Sequence, residues 1–413
     1  MTRATIALIT IAVFGTHAQA DGIIYKRGGR LQLWGWPATV GPANNPIEIT
    51  PENAQLYADL STGLIETEGY DSITAKKTAS AKSETFAASE VVDVFYSSLP
   101  EALADGLATM DAGNYLQAIG QLREVLQDPE ARDTFKQQAN YQIGICYFSG
   151  GRRADCLKHY QAWKAVNSKF TPEVYSAVAG LLTEDRKFAE ARAKYEEIGT
   201  LPGIPDLWKF KARLGGVRVD IAERKYDDAE RTAQTIARET QTRADLVDAN
   251  ALAQVLQADS IWKSGKTERF GEGAMMLEKR GADLEGATNQ TRAFLLVTLG
   301  NLLYAQGKPE EARFPYMRAA LMCPDSGYEG TAYLNAGQCL LDMSGRETKD
   351  PARSDELFKD GMKLLGTAAG TYKQADAAKR YRENKSRYDG LLAKEAGAAA
   401  GGTDGAGGPE GGK

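Results

Sequence analysis

Between Leu296 and Pro324 the chain carries two helical stripes separated by a turn, and that pairing restricts the fold more than any other feature. Leu296, Leu299, Gly300 and Leu303 recur at i, i+3, i+4 and i+7, and Ala312, Tyr316 and Ala319 repeat the stripe further on. Gly307 suits the end of the first helix, Pro309 the start of the second, and Pro324 stops it. Small residues at Gly300 and Ala312 let the two backbones approach closely, while Tyr316 fills the space beside them. A single hairpin of this kind cannot bury its own apolar face, so the chain has to supply neighbours.

Neighbours recur. Small residues at the start of successive second helices are Ala118, Cys156, Ala191, Ala229, Gly273 and Ala312, at intervals from 35 (191 − 156) to 44 (273 − 229) residues. The partner glycine of the first helix returns at Gly106 and Gly144, with Ala179 in the third unit; Gly216 sits one position early in the fourth, and the fifth fits worst. A seventh first helix is expected at Ala336-Gly337 with Leu340, its second helix displaced by the polar stretch Ser344 to Ser354. On these residues the segment resembles the tetratricopeptide (TPR) family, whose period is about 34 residues. The resemblance implies a mainly α chain, an α-solenoid of about six to seven degenerate TPR helical hairpins over residues 99–394.

The residues ahead of the repeats have a different texture. Ile23-Ile24-Tyr25, the turn from Lys26 to Gly29 and Leu31-Gln32-Leu33-Trp34 read as two short strands around a glycine turn. Gly63 to Tyr70, Ile73-Thr74-Ala75 and Val91 to Tyr96 add β-branched and aromatic runs. Residues 21–98 are therefore expected to form a small all-β domain of roughly five strands, an SH3- or Sm-like barrel, since closure protects strand edges. Pro37 to Pro51 reads as a surface loop.

The two ends set an address. Arg3, the apolar run Ala4 to Phe14 and Ala18-Gln19-Ala20 have the order of a secretory signal peptide over residues 1–20, with a mature start near Asp21. Export to the periplasm or beyond is the expectation; a short buried helix is the plainer reading of the same run. Residues 395–413 are nearly all Gly and Ala with scattered charges and read as a disordered tail.

Charge and reactive groups narrow the function. The net charge is −5, one unit more negative without Arg3, which argues against nucleic acid as a partner. Of two histidines, His17 leaves with the leader, so any relay has to use His159, better explained as an exposed polar position in a second helix. Cys146, Cys156, Cys323 and Cys339 lack paired CxxC spacing; no metal or cofactor is expected, and buried free thiols are favoured over a Cys146–Cys156 bridge. Ser264-Gly265-Lys266-Thr267 is rejected as a phosphate loop because Ser260 replaces the upstream glycine and the preceding segment reads as helix.

The expected activity is non-catalytic: an exported scaffold or adaptor for a protein or peptide. The resemblance to TPR stacks maps ligand-facing positions of the concave face to Tyr141, Ile145 and Phe148 in the second unit, Phe294, Val297, Asn301 and Tyr304 in the sixth, and Leu334 and Gln338 in the seventh. The same residues suit packing against the next hairpin equally well. A clamp for a terminal carboxylate is discounted, because Val297 stands where that clamp requires Lys. The rival is a cell-envelope glycan binder or enzyme in which Trp34 and Trp36, at i and i+2 of a strand, stack on sugar rings.

Overall fold

The computed structural model describes residues 21–27, 30–35, 63–77, 81–96, 98–165, 167–281 and 285–401. The expected leader over residues 1–20, Trp36, the Pro37–Pro51 segment read as a surface loop and the last twelve residues of the chain lie outside them. The chain divides into two compact units, one comprising the described residues through Asp185 with Ala193–Lys209, the other Arg186–Arg192 with the chain from Phe210 onward.

The first unit opens with six described strands, β1 (Asp21–Arg27), β2 (Arg30–Trp34), β3 (Leu64–Glu68), β4 (Ser72–Lys76), β5 (Glu84–Ala87) and β6 (Val91–Tyr96). They form two antiparallel three-stranded sheets, β2-β1-β6 and β3-β4-β5, bridged at Asp21 and Gly63. Six strands stand where roughly five were expected, and among the described residues the two sheets meet at the Asp21–Gly63 bridge. The overlooked strand β5 buries only Phe86, too little for an alternating pattern to show in sequence. Ile23, Trp34, Ile65, Ile73, Ala75 and Phe86 from both sheets share one core.

Fifteen helices follow among the described residues. In chain order they are α1 (Glu101–Asp111) and α2 (Tyr115–Gln127), which pack as a hairpin, α3 (Asp133–Ser149) and α4 (Arg153–Gln161), which do the same, then α5 (Thr171–Glu184) followed by α6 (Phe188–Thr200) and α7 (Asp206–Ala222) followed by α8 (Tyr226–Thr240). The rest are α9 (Val247–Ser264) with α10 (Phe270–Arg280), α11 (Asn289–Ala305) with α12 (Pro309–Met322), and α13 (Glu329–Arg346) with α14 (Pro351–Gly370), before a final α15 (Ala375–Gly401). This is the expected mainly α solenoid of TPR-like hairpins.

The small residues act as the sequence implies. Ala118, Cys156, Ala191, Ala229 and Ala312 are all within 1% of full burial. A Cβ added at Gly144 would lie 2.1 Å from the Tyr160 ring, and one at Gly300 2.5 Å from the Tyr316 ring, so each glycine is the seat of the aromatic on the facing helix. Gly216 has open space around it, and the close approach expected there is absent. In the seventh hairpin Gly337 meets Gly361, each Cβ position 3.0 Å from the other's carbonyl oxygen. The polar stretch Ser344 to Ser354 displaces the second helix as expected: α13 runs on to Arg346, so α14 begins 14 residues after Gly337 (351 − 337) where α12 begins 9 after Gly300 (309 − 300), and Asp350 caps α14 by accepting from the Arg353 amide.

Within the first unit the strands are fastened to the helices. Asp21, 1% exposed, receives both Arg132 Nη1 (2.5 Å) and Nη2 (3.2 Å) on its carboxylate, together with the Ile65 amide (2.8 Å). Lys169 pairs with buried Glu68 at 2.9 Å, Tyr70 donates to the Pro202 carbonyl, and the Tyr96 and Phe135 rings meet edge to face. At the other end of the chain α15 continues to Gly401, so the tail expected to be unfolded from Glu395 begins inside a helix. Its alanines favour helix, and Glu395 pairs with Lys359 of α14.

Candidate functional site

Two of the residues mapped to a ligand groove are consumed in joining hairpins. Tyr141 of α3 stacks on Phe170, the N-cap residue of α5, with ring centroids 4.5 Å apart and planes at 15°. Phe294 of α11 stacks on Tyr328, the N-cap residue of α13, at 5.5 Å and 14°. In each unit an aromatic on one first helix grips the cap of the next; Tyr141 also carries Tyr160 on its ring at 6.2 Å and 18°, and both Tyr141 and Phe294 are part-buried. Val297 is buried in the core of the second unit. Leu334 packs partly buried against Phe358, Met362 and Leu365. Asn301 accepts from Tyr316 at 2.7 Å and from Asn335 at 3.5 Å, which orients the large residue seated on Gly300.

What stays accessible is polar and lies on α11, α13 and α15. Tyr304 donates to Asp342 Oδ2 at 2.5 Å, Gln338 Nε2 donates to Asp342 Oδ1 at 2.6 Å, and Arg380 donates to Gln338 Oε1. Burial, and then Asp342, push the Tyr304 hydroxyl up to about 12, so it remains a donor at any physiological pH. Beside this chain Gln338, Leu341, Asp376, Lys379, Arg380, Glu383 and Asn384 line a polar cleft. Tyr304 and Gln338 are thus brought together, joined by Asp342 and Arg380, which the sequence reading missed.

A register explains what else was missed. Asn301 lies six residues before Gly307, whose φ of 77° forms the hairpin turn; Asp259 lies six before Gly265 (φ 74°) and Arg218 six before Arg224 (φ 65°). Gln338 follows Gly337 as Asn301 follows Gly300. Four consecutive first helices of the second unit therefore carry Arg218, Asp259, Asn301 and Gln338 at one position. In the first unit the same offset from Gly151 and Arg186 falls on Ile145 and Gly180, so the row there is apolar. Asp259 is buried and pairs with Lys263 at 2.8 Å; burial raises its carboxyl above the usual range, with Lys263 and Arg218 opposing. Phe148, 46% exposed, is covered on one side by the Arg153 guanidinium.

The remaining sequence candidates are structural. Trp34 is buried and packs edge to face on Phe86, so its ring belongs to the β core and is closed to a sugar; Trp36 lies outside the described residues. His159 is half buried with Nε2 2.8 Å from the Asn140 carbonyl, not an exposed position, and burial lowers its basicity. All four cysteines are free and buried, and burial lifts the Cys156 thiol to about 11 and the Cys339 thiol to about 12. Gly265 closes α9 in a left-handed turn and Lys266 pairs with Asp227, which leaves no phosphate cradle. Among the described residues no group of three His, Cys, Asp or Glu is placed to hold a metal ion, and no helix is long and apolar enough to cross a membrane.

No protein-family model matches the chain, and a search of curated proteins finds no match. Among solved structures it is similar to a tetratricopeptide repeat protein from Parabacteroides merdae, at 15% identity and a TM-score of 0.38, over 64% of this chain and 92% of the other. It is also similar to the C-terminal part of a TPR repeat-containing protein from Cytophaga hutchinsonii, at 12% identity and a TM-score of 0.35, over 63% and 92% of the two chains.

Proposed function

We propose that the chain is an exported, non-catalytic scaffold that binds a protein or peptide partner on the first-helix face of its second unit. The observation that carries this reading is the exposed Tyr304–Asp342–Gln338–Arg380 chain, with polar Arg218 and Asn301 at the position of Gln338 on two earlier first helices and Asp259, at the same position of α9, buried beneath the surface. Hydrogen-bonding groups held in place by one another on rigid helices suit an extended peptide, whose backbone needs donors and acceptors at regular intervals. Reactive groups argue the same way: the described histidine and all four thiols are engaged in or buried by the fold.

Export rests on the leader-like order of residues 3–20. Cross-linking in cell envelopes should capture discrete protein partners. Tyr304→Ala and Gln338→Ala should each weaken binding of a captured partner roughly tenfold without changing the helical circular-dichroism signal. Unaltered binding by both variants would sink the proposed surface, and an N-terminus that retains residues 1–20 would sink export.

A further inference from the structure

The outer face of α12 carries a second feature that the peptide-binding reading leaves unused. Glu310, Phe314 and Arg318 fall at i, i+4 and i+8 and are all exposed, which places an acid, an aromatic ring and a base in one stripe. Phe314 is 57% exposed, and Leu321 and Met322 in the last turn are 64% and 63% exposed. Beside Phe314, whose ring carries the Arg313 guanidinium at 4.6 Å, a groove opens between α12 and α14 with an apolar floor of Met317, Ala336, Leu340 and Leu364 and a charged edge of Asp360 and Lys363. Neither Glu310 nor Arg318 makes a hydrogen bond or ion pair among the described residues; at two turns apart they are too distant to pair with each other. Large exposed apolar side chains framed by unpaired charges mark a surface that is covered in use.

The order of the charges says by what. Rotating this stripe by half a turn about an axis through Phe314 brings Glu310 onto Arg318 and Arg318 onto Glu310, with the two Phe314 rings in the middle. That is the self-complementarity a twofold interface requires, in which each residue meets its counterpart reciprocally. We propose that the chain forms a twofold homodimer through antiparallel contact of α12, Phe314 of each copy reaching the groove between α12 and α14 of the other. The first-helix face that carries Tyr304 and Gln338 is left unused by this contact, so the proposal does not depend on the peptide-binding reading.

The test is the mass of the full chain by sedimentation across a wide concentration range. The wild type should pass from monomer to dimer. Phe314→Glu should raise the dissociation constant by roughly thirtyfold or more, as loss of a central anchor does. Glu310→Arg and Arg318→Glu should each weaken the dimer, and the double charge swap should restore it. Because all three side chains are exposed, the far-ultraviolet circular dichroism should stay at its wild-type value, and so should the thermal midpoint at concentrations where the wild type is itself monomeric, separating lost association from lost folding. A chain that is monomeric at every concentration overturns the proposal, and so does a dimer indifferent to Phe314→Glu. Single charge reversals that the swap fails to rescue overturn the twofold arrangement, and capture of a different protein on α12 overturns the choice of a second copy.

Discussion

Removing the Arg132 side chain is the most informative single perturbation of the first unit. Asp21 is 1% and Arg132 14% exposed, and the guanidinium bridges both carboxylate oxygens while lying 4.3 Å from the Phe135 ring centroid. In Arg132→Ala the carboxylate keeps only the Ile65 amide and is left as a buried charge without its counterion. Breaking a buried pair from one side typically costs about 3–5 kcal/mol, because the abandoned charge still bears its desolvation penalty. For a unit of this size each kcal/mol corresponds to roughly 2–4 °C, so the unfolding midpoint should fall by about 6–20 °C. Tryptophan fluorescence in a Trp262→Phe/Trp36→Phe background follows this unit alone, since the three tryptophans that remain, Trp34, Trp163 and Trp208, all belong to it. The double variant Asp21→Asn/Arg132→Met removes both charges and should recover most of the loss. A loss below about 1 kcal/mol for Arg132→Ala would refute the buried-charge argument. So would a double variant as unstable as the single one.

Two further expectations follow from packing and protonation. Gly144→Ala should destabilise by about 1–3 kcal/mol, because its Cβ collides with the Tyr160 ring, whereas Gly180→Ala, with open space in α5, should stabilise by up to about 1 kcal/mol; urea unfolding of both variants checks the opposite signs. The Asp259 carboxyl is held above its ordinary range, chiefly by burial, so the folded state binds its proton more tightly than the unfolded state does. That contribution is fully present below about pH 4 and is lost as pH rises through the raised folded value, so wild type should lose stability relative to Asp259→Asn across that interval; parallel pH series of unfolding free energy, with no such divergence, would contradict it.

The repeat was legible where small residues and turns carried their usual letters. Gly144 with Tyr160 and Gly300 with Tyr316 could be paired from spacing alone, because only a residue without Cβ admits a ring at that distance. The fourth hairpin was harder to register because its left-handed turn is Arg224 where other turns have Gly, and the third likewise uses Arg186. Without that register the row from Arg218 to Gln338 is invisible, since its residues share no chemistry except polarity. Tyr141 and Phe294 stand at positions that the repeat maps to a ligand face, but sequence spacing does not say whether an aromatic faces a partner or the next cap, and here both stack on caps. Asp21 gave no signal, because its partner Arg132 is more than a hundred residues away.

The two cap stacks, Tyr141 on Phe170 and Phe294 on Tyr328, have a mechanical consequence. Each is a flat, near-parallel pair set across a joint between successive hairpins. Opening such a joint separates two faces at once, whereas sliding them past one another costs little. At these two joints each solenoid segment should therefore resist spreading and yield to twist, and a partner seated nearby would be accommodated by rotation of hairpins without any widening of the groove.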